Sequence, residues 1–416
     1  MGTAGAVTYR IALDPPVPRT HADELSTRVF FVSEAIRDFA LLPSGGPSGG
    51  PSGAGAGDGT PAEQGIGAVR VTVDEGTDLD DLARKVRFVV ANDVLRQRRA
   101  EPKVVWRGAA SGTVRDVFDE LRARGAVWEA GEGQIGVGEP VLSLMDRLDD
   151  RIRALVAAEF GAEEHRYPTL IPTSAMRRCG YLGSFPQLMM FVSRLHGDVD
   201  TYRGFLDDLA AGADPSGALR SRAGDADHCL PPTMCFHTYH RFADAPLPGG
   251  AATVTSRGKS FRYEARYRRS LERLWDFTIR EIVLLGPRDR VLADRRRLME
   301  RAWDLMDDLG LGGRCEVAND PFFADAGTAE RVWSQHLLEL KYELRLPLDG
   351  DRDVAVASFN FHDRFFGGSF GIGGADGPVH TSCAGFGLER LAYAFLCRHG
   401  ADPAGWPARM RTAVEG

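Results

Sequence analysis

Arginines crowd one short stretch of this chain. Arg262 lies in Phe261-Arg262-Tyr263-Glu264, Arg266, Arg268 and Arg269 follow, and Arg273 opens Arg273-Leu274-Trp275-Asp276-Phe277. A guanidinium presents a planar fork that grips two oxygens at once, so such a cluster suits a polyphosphate, or a phosphate and a carboxylate brought together. Glu264 stands two residues after Arg262 and faces the same side if the segment is a strand. Far downstream, Gly385-Phe386-Gly387-Leu388-Glu389-Arg390 sets another arginine at the head of helix-like sequence. Taken singly, either arginine fits a surface ion pair as well as it fits a substrate.

The cysteines narrow the chemistry differently. Cys179, Cys229, Cys235, Cys315, Cys383 and Cys397 form no CxxC pair, so a metal site here has to be assembled from distant parts of the chain. Plain burial is the common use of a free thiol. The formal charge of −7 gives no global attraction for a polyanion and argues against a large tRNA interface. Neither a GxxxxGK[ST] loop nor a G-x-G-x-x-G after a strand is present, which sets aside the two common nucleotide folds. No stretch approaches the roughly 20 apolar residues that span a bilayer, and no signal-like run opens the chain, so the expected location is the cytoplasm.

The elements that must position these residues can be read from periodicity. Val7, Tyr9 and Ile11 alternate as a strand, and Leu25, Val29, Val32 and Ile36 follow at helical spacing. A second strand (Val69, Val71, Val73), a second helix (Leu79, Leu82, Val86, Val89, Val90) and a strand near Val104-Val105-Trp106 complete a small α+β domain over 1–124. The Gly/Pro/Ser-rich insertion at 44–61 cannot bury apolar area and interrupts that domain. Over 125–416 the pattern changes. A hairpin is expected around Gly131 to Gly133, then an amphipathic helix with Leu144, Leu148, Ile152 and Leu155, then a strand from His165 to Pro172. Leu338 to Leu346 alternate with charged residues as a half-buried strand, Val354 to Phe361 make a more apolar one, and a helix opens at Leu388. Strands and helices mixed in this way predict the α+β class.

In this order, the Arg262 and Arg390 segments resemble motifs 2 and 3 of the class II aminoacyl-tRNA synthetase core, and the helix, strand and Pro172 resemble motif 1. The resemblance implies an antiparallel sheet flanked by helices that activates a carboxylate with ATP as an acyl-adenylate, and a homodimer packed through motif 1. It places Arg262 on the α-phosphate and carboxylate, Glu264 on adenylate or substrate, Phe277 under the adenine and Arg390 over it. ATP contacts then fall on Arg262, Arg273, Leu274, Phe277, Ser358, Asn360 and Arg390, with Arg262, Glu264 and Arg390 catalytic. Mg²⁺ is implied with ATP, yet Val354 to Ala357 lack the usual acidic ligand, which leaves Glu343 as a weak candidate.

Cys235, Glu281 and Cys383, set before motif 2, on its second strand and just before motif 3, resemble the Zn²⁺ ligands of one branch. That branch holds the methanogenic-type seryl-tRNA synthetases and the amino acid:carrier-protein ligases. Two thiolates, a carboxylate and an open fourth position would bind a substrate amino group. Leu182 to Pro186, Ser358 to His362 and Phe365 to Gly367 resemble the carrier-protein ligases. The implied reaction is therefore transfer of a small amino acid to the phosphopantetheine thiol of a holo-carrier protein. Arg220-Ser221-Arg222 and Arg295-Arg296-Arg297 are candidate surfaces for that acidic partner. Two alternatives stay open: a seryl-type tRNA synthetase and an inactive paralogue used as a regulator or scaffold.

Overall fold

A computed structural model describes residues 5–44, 65–95, 103–109, 112–263, 270–318, 340–350 and 352–411. The chain divides into two compact units, the first running to Glu101 and the second starting at Pro102, against the limit expected at 124. Among the described residues no helix is long and apolar enough to cross a membrane. Of the expected insertion, residues 45–61 lie outside the described residues, as do Leu338, Glu264, Arg266, Arg268 and Arg269.

The first unit is built from β1 (Ala6–Val17), α1 (Ala22–Phe30), β2 (Ile36–Pro43), β3 (Ile66–Asp74) and α2 (Leu79–Val89), with β3 central in an antiparallel sheet. Ile11, Val69, Val71 and Val73 pack with Leu25, Val29, Leu82 and Val86 of the helices. Asp78 caps α2 by accepting from the backbone N–H groups of Asp80 and Asp81. Ile36 does not continue the first helix as its spacing suggests; it opens β2 opposite Val73. The helix closes at Phe30, and in the turn that follows Ser33 Oγ accepts from Ala35 N at 3.2 Å.

The second unit is organised by an eight-stranded sheet. Its strands are β4 (Val104–Gly108), β5 (Glu163–Glu164), β6 (Ala252–Phe261), β7 (Asp276–Gly286), β8 (Gly313–Val317), β9 (Lys341–Asp349), β10 (Arg352–Phe361) and β11 (His380–Gly387), in the order β4-β8-β9-β10-β11-β7-β6-β5. All neighbours run antiparallel except β5 with β6. β4 corrects the sequence reading. It is the edge of this sheet and not the last strand of the small domain, pairing with β8 while Trp106 stacks on Trp303 at 6.0 Å. Alternation reveals that a strand exists but not which sheet takes it.

The helices are α3 (Val141–Phe160), α4 (Cys235–Arg241), α5 (Arg288–Asp308) and α6 (Leu388–His399). Apolar faces of α3, α5 and α6 join Ile282, Leu284, Leu344, Leu346, Phe359 and Phe386 in the main core, which covers one face of the sheet. The other face therefore carries the alternate residues, among them Phe277, Glu281, Cys383, Ser358 and Asn360. The strand expected from His165 to Pro172 is a further correction. Only Glu163–Glu164 and Ile171–Pro172 pair, in different sheets. Pro168 and Pro172 lack the N–H that a continuous ladder needs.

Candidate active site

Antiparallel register brings the three predicted metal ligands together. Glu281 of β7 sits opposite Gly385 of β11, and Cys383 lies two residues along on the same face. Cys235 arrives from the first residue of α4, which packs on this part of the sheet. The ligand atoms of Cys235, Glu281 and Cys383 all lie within 4.8 Å of one another, and all three residues are buried. Among the described residues this is the one such cluster of potential metal ligands. Gly385 is required by the crowding. A Cβ there would stand 2.7 Å from Ile279 Cδ1 and 3.4 Å from a Glu281 oxygen, closing the space between the strands.

The donor set fits zinc. Tetrahedral zinc with sulfur near 2.3 Å and oxygen near 2.0–2.2 Å sets its donors roughly 3.5–3.8 Å apart, a small contraction from what the fold already holds. Burial pushes the Glu281 carboxyl up to about 7, against the opposing pull of the Thr233 hydroxyl, the Cys383 thiol and the Arg262 charge. The Cys383 thiol is held well above its ordinary value by its hydrogen bond with Cys235 and by burial. Two thiols and a reluctant carboxylate at close quarters would all become strong ligands once a divalent cation took the place of protons among them.

Of the residues expected to contact ATP, Arg262 lies close enough to Glu281 to act on its carboxyl. Arg262 donates from Nε to Pro232 O at 3.0 Å, and its guanidinium lies 5.3 Å from the centroid of the Phe277 ring. Its backbone N–H reaches Trp275 O at 3.0 Å, which ties the two arms of the motif together. Arg390, in the first turn of α6, donates from Nε to Glu272 O at 2.6 Å and from Nη1 to Ala355 O at 3.2 Å. Arg273 is half-buried next to Glu272. The Leu274 side chain belongs to the main core, so only its backbone is left to meet a nucleotide. Ser358 and Asn360 sit on β10 across from Gly385 and Cys383. Asn360 Nδ2 reaches both Ser358 Oγ at 3.3 Å and Cys383 Sγ at 3.6 Å, which places it at the cysteine end of the site. Glu343 is engaged by Lys341 at 3.3 Å and Arg345 at 2.9 Å, and despite burial these cations pull its carboxyl down. It is thus a saturated ion-pair member.

Sequence reasoning missed the groups that hold these three side chains. Thr233 Oγ1 donates to Glu281 Oε2 at 2.7 Å. His362 Nε2 lies 3.7 Å from Cys383 Sγ. The one available signal was parity, since His362 continues the Ser358, Asn360 alternation past the end of β10. Four of the five arginines in the two expected docking stretches have partners within the chain. Arg222 pairs with Asp208, Arg295 lies over Tyr342 and Phe361, Arg296 bonds Glu300, and Arg297 lies over Phe160.

No protein-family model matches the chain. Amino acid–[acyl-carrier-protein] ligases 1 and 2 of Bradyrhizobium diazoefficiens are 37% and 38% identical to it over 274 residues, which is 65% of this chain and 82% and 80% of theirs. The type-2 serine–tRNA ligase of Methanothermobacter thermautotrophicus is 29% identical over 292 residues, 69% of this chain and 57% of that protein. Among solved structures, M. kandleri SerRS in complex with A. aeolicus tRNASec superposes with a TM-score of 0.68 at 24% identity, covering 98% of this chain and 77% of that one. Giardia lamblia prolyl-tRNA synthetase in complex with prolyl-adenylate gives 0.51 at 16% identity, over 69% and 54% of the two chains. The fold is that of the class II synthetases.

Proposed function

The chain belongs to the amino acid–[acyl-carrier-protein] ligase family, and from that premise we propose that it activates a small amino acid with ATP and transfers it to the phosphopantetheine thiol of a holo-carrier protein. The observation that carries this reading is the buried Cys235, Glu281, Cys383 cluster lying on the same sheet face as Phe277, with Arg262 stacked on that ring. Zinc held by this trio would supply a Lewis acid with one open position for a neutral amino group, which an acid lacking an amine cannot fill.

The protein's own groups divide the remaining work. Arg262 would bridge the α-phosphate and the substrate carboxylate with its two-pronged fork. A carboxylate oxygen then attacks the α-phosphorus, the bond to the β-phosphate oxygen breaks, and pyrophosphate leaves with its charge met by Arg273 and Arg390. Positive charge fixed before the reaction is worth most as negative charge shifts toward the leaving group. The aromatic face of Phe277 and the Arg390 guanidinium would hold the adenine between them. Glu264 belongs to the same proposal as a contact to adenylate or substrate. In the second half-reaction the carrier thiolate attacks the acyl carbon and AMP departs, giving a thioester. Mg²⁺ would accompany ATP, and the cytoplasm is the proposed location. A homodimer through the motif 1 region is likewise proposed.

A second reading, charging of tRNA, is favoured by one observation: the 98% coverage by the SerRS structure takes in the N-terminal unit as well. The inactive-paralogue reading is disfavoured because Arg262, Arg390 and the full trio are all present in the chain. The deciding experiment supplies ATP, labelled glycine, alanine or serine, a holo-carrier protein and total tRNA together. Label on the carrier that hydroxylamine releases, and that the apo-carrier does not acquire, is the expected result. Efficient charging of tRNA with no labelled carrier would overturn the proposal.

A further inference from the structure

Behind the metal-ligand cluster lies a chain of polar groups with no part in the chemistry above. His362 follows β10 directly, and its backbone N–H bonds Thr381 O at 2.9 Å. Its ring packs edge-on against Phe366 at 4.7 Å, and Phe366 in turn stacks on Tyr239 at 4.6 Å. Tyr239 is fully buried. The two ring nitrogens of His362 face different partners. Nδ1 lies 3.4 Å from Tyr239 Oη and 3.4 Å from Thr381 Oγ1, while Nε2 lies 3.7 Å from Cys383 Sγ.

Those contacts fix the direction of the bond to sulfur once Cys383 is a metal-bound thiolate. A thiolate has no proton to give, so Nε2 must carry the N–H that faces it. Neutral imidazole then leaves Nδ1 with one lone pair to accept, and the hydroxyls of Tyr239 and Thr381 are the donors within reach of it. We propose that His362, oriented by Tyr239, is a positioning residue of the metal centre: its Nε2–H donates to the Cys383 thiolate, fixes the sulfur's rotamer and tempers its donation to the metal. This rests on the reading of Cys235, Glu281 and Cys383 as metal ligands. The arrangement adds no net charge to a buried site, unlike a lysine or an arginine at the same place. It also divides the support between the strands: Thr233 holds Glu281 of β7 from one side, and His362 holds Cys383 of β11 from the other. Groups behind a ligand typically govern metal affinity about 10–100-fold.

The test uses the full-length purified protein and reads metal binding directly. Zinc affinity is measured by chelator competition, and thiolate-to-metal charge-transfer absorption is followed after cobalt substitution. His362→Leu is expected to weaken zinc about 10–100-fold and to shift the cobalt spectrum. His362→Gln, whose amide N–H can reach the place of Nε2–H, should retain most of the affinity. Tyr239→Phe keeps the stacked ring and loses only the hydroxyl. It should weaken zinc less than His362→Leu, and the double variant should bind no more weakly than His362→Leu alone. Should His362→Leu fail to fold, Tyr239→Phe and His362→Gln carry the decision by the same readouts. A folded His362→Leu protein with wild-type zinc affinity and an unchanged cobalt spectrum would overturn this inference alone. Wild-type protein that binds no stoichiometric zinc would overturn the metal reading beneath it as well.

Discussion

Arg280 and Glu281 are neighbours on one strand, each about 1% exposed, and they point to opposite faces of the sheet. The protein treats them differently. Arg280 is met on the helix face by both oxygens of Asp149, at 2.7 Å each, and by Glu164 at 3.1 Å. Glu281, on the other face, is met by the Thr233 hydroxyl and two thiols, and burial leaves its carboxyl titrating near 7. A buried charge that finds its counter-charge inside the chain acts structurally, here by joining α3 to β7. A buried carboxylate set among thiols is poised for a cation from outside. Burial alone distinguishes nothing; the partners do.

Asp149→Ala leaves Arg280 with Glu164 as its one carboxylate partner among the described residues and should destabilise the fold by about 3–5 kcal/mol, the cost typical of breaking a buried pair. Exchange activity per folded molecule should be retained, and replacing the pair together (Asp149→Leu with Arg280→Met) should restore much of the stability, as denaturant melts would show. The next largest effect lies on the Glu281 side and depends on pH. In metal-free protein this carboxyl titrates near 7 in the fold, against an ordinary value of 4.5. Its folded-state affinity for protons is raised, so its stabilising contribution is complete below pH 4.5 and is lost as pH rises to about 7. At about 1.4 kcal/mol per unit of pKa shift, the loss comes to about 3 kcal/mol. Zinc-loaded protein, whose ligand carboxylate is already deprotonated, should not show that fall, and a metal-free melt that stays flat across this range would contradict the assignment. Arg262→Ala is the smallest of the three. It should lower amino-acid-dependent ATP–pyrophosphate exchange at least tenfold, about 1.4 kcal/mol in barrier terms, with little change in melting temperature.

Much of this was legible in sequence because the motifs are local. Arg262, Phe277, Gly385 and Arg390 carry their pattern within a few residues, and β9, β10 and α6 announce themselves by period. What was not legible depends on pairing between distant strands. Nothing in Val104 to Trp106 says that Gly313–Val317 is its neighbour, and nothing around Ser33 outweighs the helical spacing that wrongly enrols Ile36. The Cys235, Glu281 and Cys383 trio could be picked out from its resemblance to a known site. Its support could not, because Thr233 and His362 are ordinary polar residues until the register of β7, β10 and β11 sets them against Glu281 and Cys383. The Leu274 side chain shows the limit in the other direction: it lies inside a nucleotide motif and yet belongs to the core.

On the proposed function Glu281, with Cys235 and Cys383, reads the substrate's amino group through zinc while its neighbour Arg280 only holds the fold. The most direct test removes zinc by chelation and follows amino-acid-dependent ATP–pyrophosphate exchange beside the thermal melt. Exchange should be lost with the metal and return on adding one equivalent of zinc, while the Arg280 side keeps the protein folded throughout. Cys235→Ser and Cys383→Ser should reproduce the metal-free state and resist rescue. Full exchange by protein shown by elemental analysis to contain no zinc would contradict the account.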